Sequence, residues 1–389
     1  MDYFELKDMV RRLFNRGLAS LFLFLSVLSC NTKSTGSCYT LQLPMDFQDK
    51  LVDSIDIIKL DSSVPLSRIN SVKLINDSFY VLARNGLFKY NKNGDFISQI
   101  SRKGRAEQEW LKISAFYYSE KFNDLCIIDD FSSKVLHFTL DGEFLYSVPV
   151  KFGRNYYIED ADEVSGGVLL SCSIYTDNGV VFAYLPYNSD VDLVELKEIP
   201  FRSENVIDPT GLRMMSCSRD SARCIIPFDN NIYQFAKGSF SAIASVPTKY
   251  PLPGKKFFRK YIHSYDSSEI LMQCIRQGLF YGYSGVYETS DWMLLSSHDF
   301  SCTIIEKSTN NCYVFERNEL VEQIGFPIAN VYSAIGHTLV SAFDESQIRM
   351  ILDNESIDNA LRKKIENALG NDEENSSASV IVLYELTGD

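Results

Sequence analysis

No two of the nine cysteines are spaced C-x-x-C, which removes the zinc-ribbon and thioredoxin-type readings. Histidines are few, and His137, His263, His298 and His337 never fall at an H-x-x-x-H spacing. No glycine-rich phosphate loop or dinucleotide fingerprint occurs, and Gly282-Tyr283-Ser284-Gly285 is not a G-x-S-x-G nucleophile turn. Positive charge is scarce too: 38 Lys and Arg against 51 Asp and Glu leave a formal charge of −13. That balance argues against a general nucleic-acid binder, which needs dense cations for phosphate. The apolar run Leu18–Leu28 is too short to cross a bilayer as a helix.

What the chain has is aromatic, strand-forming sequence, with 26 Phe and 22 Tyr. It also has a period. Asn93-Gly94 recurs in degraded form as Asp141-Gly142, Ser189-Asp190 and Lys237-Gly238, a step of 48 residues each time (93, 141, 189, 237). Each turn follows an apolar burst and precedes another: Phe79–Leu82, Leu87–Tyr90 and Phe96–Ile100, then Leu125–Ile128, Val135–Phe138 and Phe144–Val148. Asn-Gly between alternating apolar segments is a strong hairpin signal. A repeat of this length built only of strands predicts a β-propeller blade.

The third and fourth units follow at Val168–Leu196 and Cys224–Val246. A fifth is read as Trp292–Ser296, Cys302–Ile305, Cys312–Phe315 and Leu320–Ile324. The sixth starts at Thr338–Phe343 and is interrupted. Ile357, Leu361, Ile365 and Leu369 form one apolar helical stripe, with Gly370 as its C-cap. The last strand, Val380–Leu386, stops where a fourth strand should begin, and Ser54–Leu60 has no blade of its own. An open edge invites aggregation, so the expected fold is all-β: a six-bladed propeller over residues 46–389, closed by an N-terminal strand, with a helical insertion at about 345–370.

Arg11, Arg12 and Arg16, the run Leu18–Leu28 and the break Ser29-Cys30 are the parts of a secretory signal over residues 1–29. Val27-Leu28-Ser29-Cys30 resembles the lipobox of bacterial lipoproteins. That resemblance implies cleavage before Cys30, a lipid on its thiol, membrane anchoring and a tether over 30–45. The tether has no acidic run after Cys30, which favours a periplasm-facing address in the cell envelope over the cell surface. Gly86–Val150 resembles the six-bladed, NHL-repeat-like propeller lipoproteins of Gram-negative gut bacteria. The resemblance rests on Lys92-Asn93-Gly94, Leu140-Asp141-Gly142, Ile127-Ile128-Asp129, and Arg102-Lys103-Gly104-Arg105 leading to Glu109-Trp110. It implies a fold and an address, not a reaction.

In such a ring the connections between blades share one face. Here they carry Arg102, Trp110, Arg154, Tyr156, Tyr157, Lys256 and Arg259, with Lys255 and Lys260 alongside. Cations pair with carboxylate or sulfate and aromatic faces stack on sugars. The expectation is a non-catalytic binding module for an anionic or glycan-like ligand or a partner protein, with no cofactor, no metal and no nucleic acid. The alternative is a metal-dependent hydrolase or lyase in the central channel, using scattered acids such as Asp129 and Asp130. His137 reads as a solvated residue on a polar strand face. Cys126, Cys172, Cys224 and Cys274 read as buried hydrophobes. Hairpin pairing sets Cys312 opposite residue 304, against a Cys302–Cys312 disulfide.

Overall fold

Asn91 organises the outer turn of the first blade. Its side chain accepts from the Asn93 and Asp95 amides at 2.9 and 3.0 Å. Gly94 takes φ +90°, and a Cβ there would lie 2.2 Å from the Lys59 carbonyl oxygen, so only glycine fits. Gly142 repeats that φ one blade later. Each of these turns is entered through a register shift, between Lys89 and Tyr90 and between His137 and Phe138. The repeated bulge adds twist to each outer hairpin.

The computed structural model describes residues 37–42, 51–152, 157–173, 180–187, 193–198, 213–261, 267–298, 301–353, 357–370 and 378–388. They form six sheets built on four antiparallel strands each, in sequence order from the axis outward in the first five. The first blade is Ile69–Ile75, Ser78–Ala83, Gly86–Asn91 and Phe96–Ile100; the second is Ala115–Ser119, Asp124–Asp129, Lys134–Phe138 and Phe144–Pro149. The third runs Tyr157–Val164, Gly167–Ser173, Val180–Pro186 and Val194–Glu198, and the fourth Met215–Ser218, Ser221–Cys224, Asn231–Ala236 and Ser239–Ser245. The fifth is Tyr283–Glu288, Trp292–Ser297, Cys302–Glu306 and Asn311–Phe315.

The sixth blade joins the two ends of the chain. Val331–Ile335, Thr338–Asp344 and Ser379–Leu386 are completed by Val52–Lys59, which pairs antiparallel with the last strand from Val380↔Lys59 to Leu386↔Val52. The N-terminal closing strand is therefore as expected. The chain before it also adds short parallel strands to the outer edges of two other blades, Ser37–Cys38 beside Ser239–Ser245 and Thr40–Gln42 beside Asn311–Phe315. Propeller pairing thus begins at Ser37, inside the stretch read as tether.

Among the described residues five helices decorate the ring: α1 (Lys255–Tyr261), α2 (Ser267–Gln277), α3 (Arg317–Ile324), α4 (Glu345–Leu352) and α5 (Asn359–Leu369). The Leu320–Ile324 strand expected for the fifth blade is instead part of α3. Glu319 accepts from the Glu316 amide at 2.9 Å, and Gly325 ends the helix at φ +74°. The blade's real first strand, Tyr283–Glu288, lies before Trp292. In the helical insertion α5 carries the expected stripe from Leu361 onward, but Ile357 precedes the helix and is buried separately. Lys364 reaches the Asp56 carboxylate at 2.7 Å, which fixes α5 against the closing strand.

Cores lie between blades. Tyr80, Leu82 and Leu87 of the first blade pack on Leu125, Ile127 and Leu136 of the second. Cys126, Ile128 and Val135 on the second blade's other face pack on Ala161, Val168 and Leu170 of the third. Cys126, Cys172, Cys217, Cys224, Cys274, Cys302 and Cys312 are free. Cys312 pairs with Ile305, one residue from the expected position, and Cys302 lies opposite Phe315, so no disulfide joins them. Burial raises the Cys302 and Cys312 thiols to about 12.

Candidate functional site

The innermost strands place charge on the axis. Lys73 of the first blade meets Asp162 of the third at 3.1 Å and donates to the Ala161 carbonyl at 2.8 Å. Arg213 approaches Asp160 at 3.6 Å, donates to the Asn70 carbonyl and stacks over Tyr332 at 4.9 Å. Burial works against the Lys73 ammonium, but the Asp162 and Asp160 charges outweigh it and hold it above the usual lysine range. The channel carboxylates are thus already paired with cations from other blades. Asp129 is not among them. It is buried and accepts from the Leu111 and Ser132 amides at 2.7 and 3.0 Å, a turn cap. Asp130 pairs with Lys112 at 3.3 Å.

The expected ligand residues that lie in the described part of the chain differ in burial and partners. Trp110 is 5% exposed and packs in the core between the first two blades, so it cannot line a binding face. Arg102 is exposed but tied to Glu109 at 2.8 Å. The Ala106 amide and the Arg102 guanidinium hold Glu109 below the usual carboxylate range, and these contacts shape the loop. Arg154 and Tyr156 lie outside the described residues, as does Cys30. Tyr157 opens the third blade's first strand.

Lys256 and Arg259 are exposed on α1 with Lys255 and Lys260, while Phe257 and Tyr261 turn inward onto Ile270 and Cys274. This split follows the helical period. Neither Lys255, Lys256 nor Arg259 has an ion-pair partner among the described residues.

A second site lies near the opposite face, where sequence reasoning expected a solvated histidine. His137 is 5% exposed. Strand pairing sets Tyr117, Cys126, His137 and Tyr146 in one row across the second blade. Residues paired this way share a sheet face. His137 Nδ1 lies 2.8 Å from Asp124 Oδ2 and 3.4 Å from Cys126 Sγ, and Sγ lies 3.5 Å from Asp124 Oδ1. Burial, then the Asp124 charge, pushes the Cys126 thiol well above its ordinary range. The Tyr146 ring stacks on the imidazole at 4.3 Å, and Phe122 meets it edge-on. Phe122 and Tyr146 are themselves partly open to solvent.

The signal for this row was the hairpin between Asp129 and Lys134, which sets residue 126 opposite 137 by counting back from the turn. The row is not a thiol–imidazole–carboxylate relay. A relay needs the acid and the thiol on different ring nitrogens, and here both face Nδ1. Among the described residues Asp124, Cys126 and His137 are the one group of three metal-ligating side chains whose donor atoms lie within 4.8 Å of one another.

Comparison with known proteins fixes the lineage. No curated protein matches the chain. A Bacteroides fragilis protein titled "Putative exported protein" shares the fold with a TM-score of 0.71 and 19% identity, over 90% of this chain and all of that one. A member of the DUF4221 family from Bacteroides vulgatus is similar at a TM-score of 0.48 and 11% identity, over 88% of this chain and all of that one. The family described as "Domain of unknown function (DUF4934)" matches residues 37–385, and the chain belongs to it.

Proposed function

We propose that the protein is an exported, lipid-anchored binding module of the cell envelope whose blade-connecting face takes an anionic glycan. The observation that carries this reading is α1. It presents Lys255, Lys256, Arg259 and Lys260 to solvent on a protein of net charge −13. The aromatic residues of the same helix anchor it to α2 rather than offering themselves to ligand. Cations presented on a rigid scaffold recognise carboxylate or sulfate groups by charge-assisted hydrogen bonds. The address rests on the signal-like N-terminus with Cys30 and agrees with the exported description of the Bacteroides fragilis relative. The channel-centred hydrolase or lyase has less support, because Lys73 and Arg213 already occupy Asp162 and Asp160.

Binding of the detergent-solubilised protein to a sulfated glycan and to neutral dextran tests the reading. It predicts salt-sensitive binding to the sulfated glycan alone. Exposed charged contacts contribute about 0.2–1 kcal/mol each, so replacing all four cations by Ser should weaken binding by roughly fourfold to a thousandfold. Unchanged binding by that variant would remove α1 from the account.

A further inference from the structure

We propose that Asp124, Cys126 and His137 form a three-ligand site for a zinc-class divalent metal. The inference is independent of the glycan reading and lies near the other face of the ring. Its basis is convergence. Hydrogen-bonded networks run as chains from donor to acceptor, whereas metal ligands aim their atoms at one point. Here His137 Nδ1 lies 2.8 Å from Asp124 Oδ2 and 3.4 Å from Cys126 Sγ, Sγ lies 3.5 Å from the other carboxylate oxygen, Oδ1, and one donor atom from each residue lies within 4.8 Å of the other two. Zinc bonds of about 2.0 Å to nitrogen or oxygen and about 2.3 Å to sulfur give tetrahedral edges of roughly 3.3–3.5 Å. The Cys126–His137 edge already has that length, and Asp124 Oδ2 has to draw back from Nδ1 to reach it.

The donor set suits the metal. Nitrogen, oxygen and thiolate together favour zinc over magnesium or calcium, which prefer oxygen. All three residues are at least nine-tenths buried, at 1%, 0% and 5% exposure. A dication would balance the charges of a carboxylate and a thiolate in that setting. The imidazole plane is held between Tyr146 and Phe122, and ordered surroundings of this kind keep ligands aimed.

Three protein ligands leave a fourth position open. Glu163 does not fill it. Its carboxylate accepts from the Ser119 hydroxyl at 2.8 Å, from Tyr187 and from the Lys121 amide at 3.3 Å. A position filled by water or an incoming ligand is the arrangement of an exchangeable rather than a closed structural site.

Cobalt(II) titration of the metal-stripped, full-length protein in detergent tests this. The expected result is one equivalent bound, with an intense near-ultraviolet thiolate-to-cobalt band. Cys126→Ser should remove the band, and His137→Gln should lower affinity at least about 100-fold, each with an unchanged circular dichroism spectrum. Absence of the band in the unsubstituted protein overturns the proposal, whether or not cobalt binds, and that result does not depend on how the variants fold. Persistence of the band in Cys126→Ser overturns it equally, since the thiolate would then lie elsewhere.

Discussion

The first and second blades place different chemistry in the corresponding row of their sheets. In the first blade the paired row is Lys73, Tyr80, Lys89 and Ser98; in the second it is Tyr117, Cys126, His137 and Tyr146. The first row reaches outward. Lys73 crosses the axis to Asp162, and Lys89 extends to Asp141 on the next blade's turn at 2.9 Å. Tyr80 joins it by donating to the Leu140 carbonyl at 2.7 Å. These are struts, and they fasten one blade to another. The second row gathers inward on Asp124, a carboxylate 1% exposed. The repeat does not need that arrangement, since its neighbour closes the corresponding seam without it. A buried polar set that the scaffold can do without is the place to look for function.

Several experiments can break that contrast, and the largest effect should come from the second row. His137→Leu leaves the Asp124 carboxylate buried without its partner, and breaking a buried pair costs about 3 kcal/mol or more. Denaturant unfolding should show a lowered midpoint and a loss of unfolding free energy of that size. A shift near zero would mean the pair is not held as described. Replacing Asp124 and His137 together by Leu should recover most of the loss, to about 1 kcal/mol or less, because two apolar groups leave nothing unsatisfied. The double variant should nevertheless bind no cobalt, separating metal binding from stability. If it unfolds as readily as the single variant, the cluster is a structural keystone after all.

The smallest effect should come from the strut. Asp141 is widely exposed to solvent, and such pairs contribute little. Lys89→Met should lower the unfolding midpoint only slightly, and most at neutral pH, where the pair is fully formed. Its signature lies in the pH profile. The Lys89 hydrogen bond and charge hold Asp141 below the usual carboxylate range. That contribution is present above the ordinary range and is lost as pH falls through the lowered value. Burial opposes the Lys89 ammonium, but Asp141 and Tyr80 outweigh it and leave it raised. That contribution is present below the ordinary lysine range and is lost as pH rises through the raised value. Stability against pH, measured for both proteins, should differ only between those two limbs and converge beyond them.

The ring was legible because its signals are local and repeated. Asn93-Gly94 and Asp141-Gly142 mark turns, alternation marks strands, and an unfinished final blade next to a spare N-terminal strand implies closure. The fifth blade was harder. Gly282 and Gly285 obscured Tyr283–Glu288 as a strand, and Leu320–Ile324 carries an apolar pattern that either a strand or a helix can use. Capping by Glu319 and Gly325 decided for the helix. The connections between blades were read as one basic aromatic surface, yet burial of Trp110 depends on contacts with Ile75 and Phe116 that no spacing reveals. His137 was misjudged for a similar reason. Alternation along one strand says which residues share a face, but whether that face meets water or the neighbouring blade is a tertiary fact. His137 faces the seam with the third blade, where Cys126 lies beside Ala161 and Leu170.

The central contrast, an inward row built for a ligand beside an outward row built for fastening, is tested most directly by zinc-edge X-ray absorption on the purified full-length protein supplied with zinc. The account predicts one bound zinc with a single sulfur neighbour at about 2.3 Å and nitrogen or oxygen neighbours at about 2.0 Å. A shell of oxygen and nitrogen alone, or protein that retains no zinc, would contradict it and return Asp124, Cys126 and His137 to the packing between two blades.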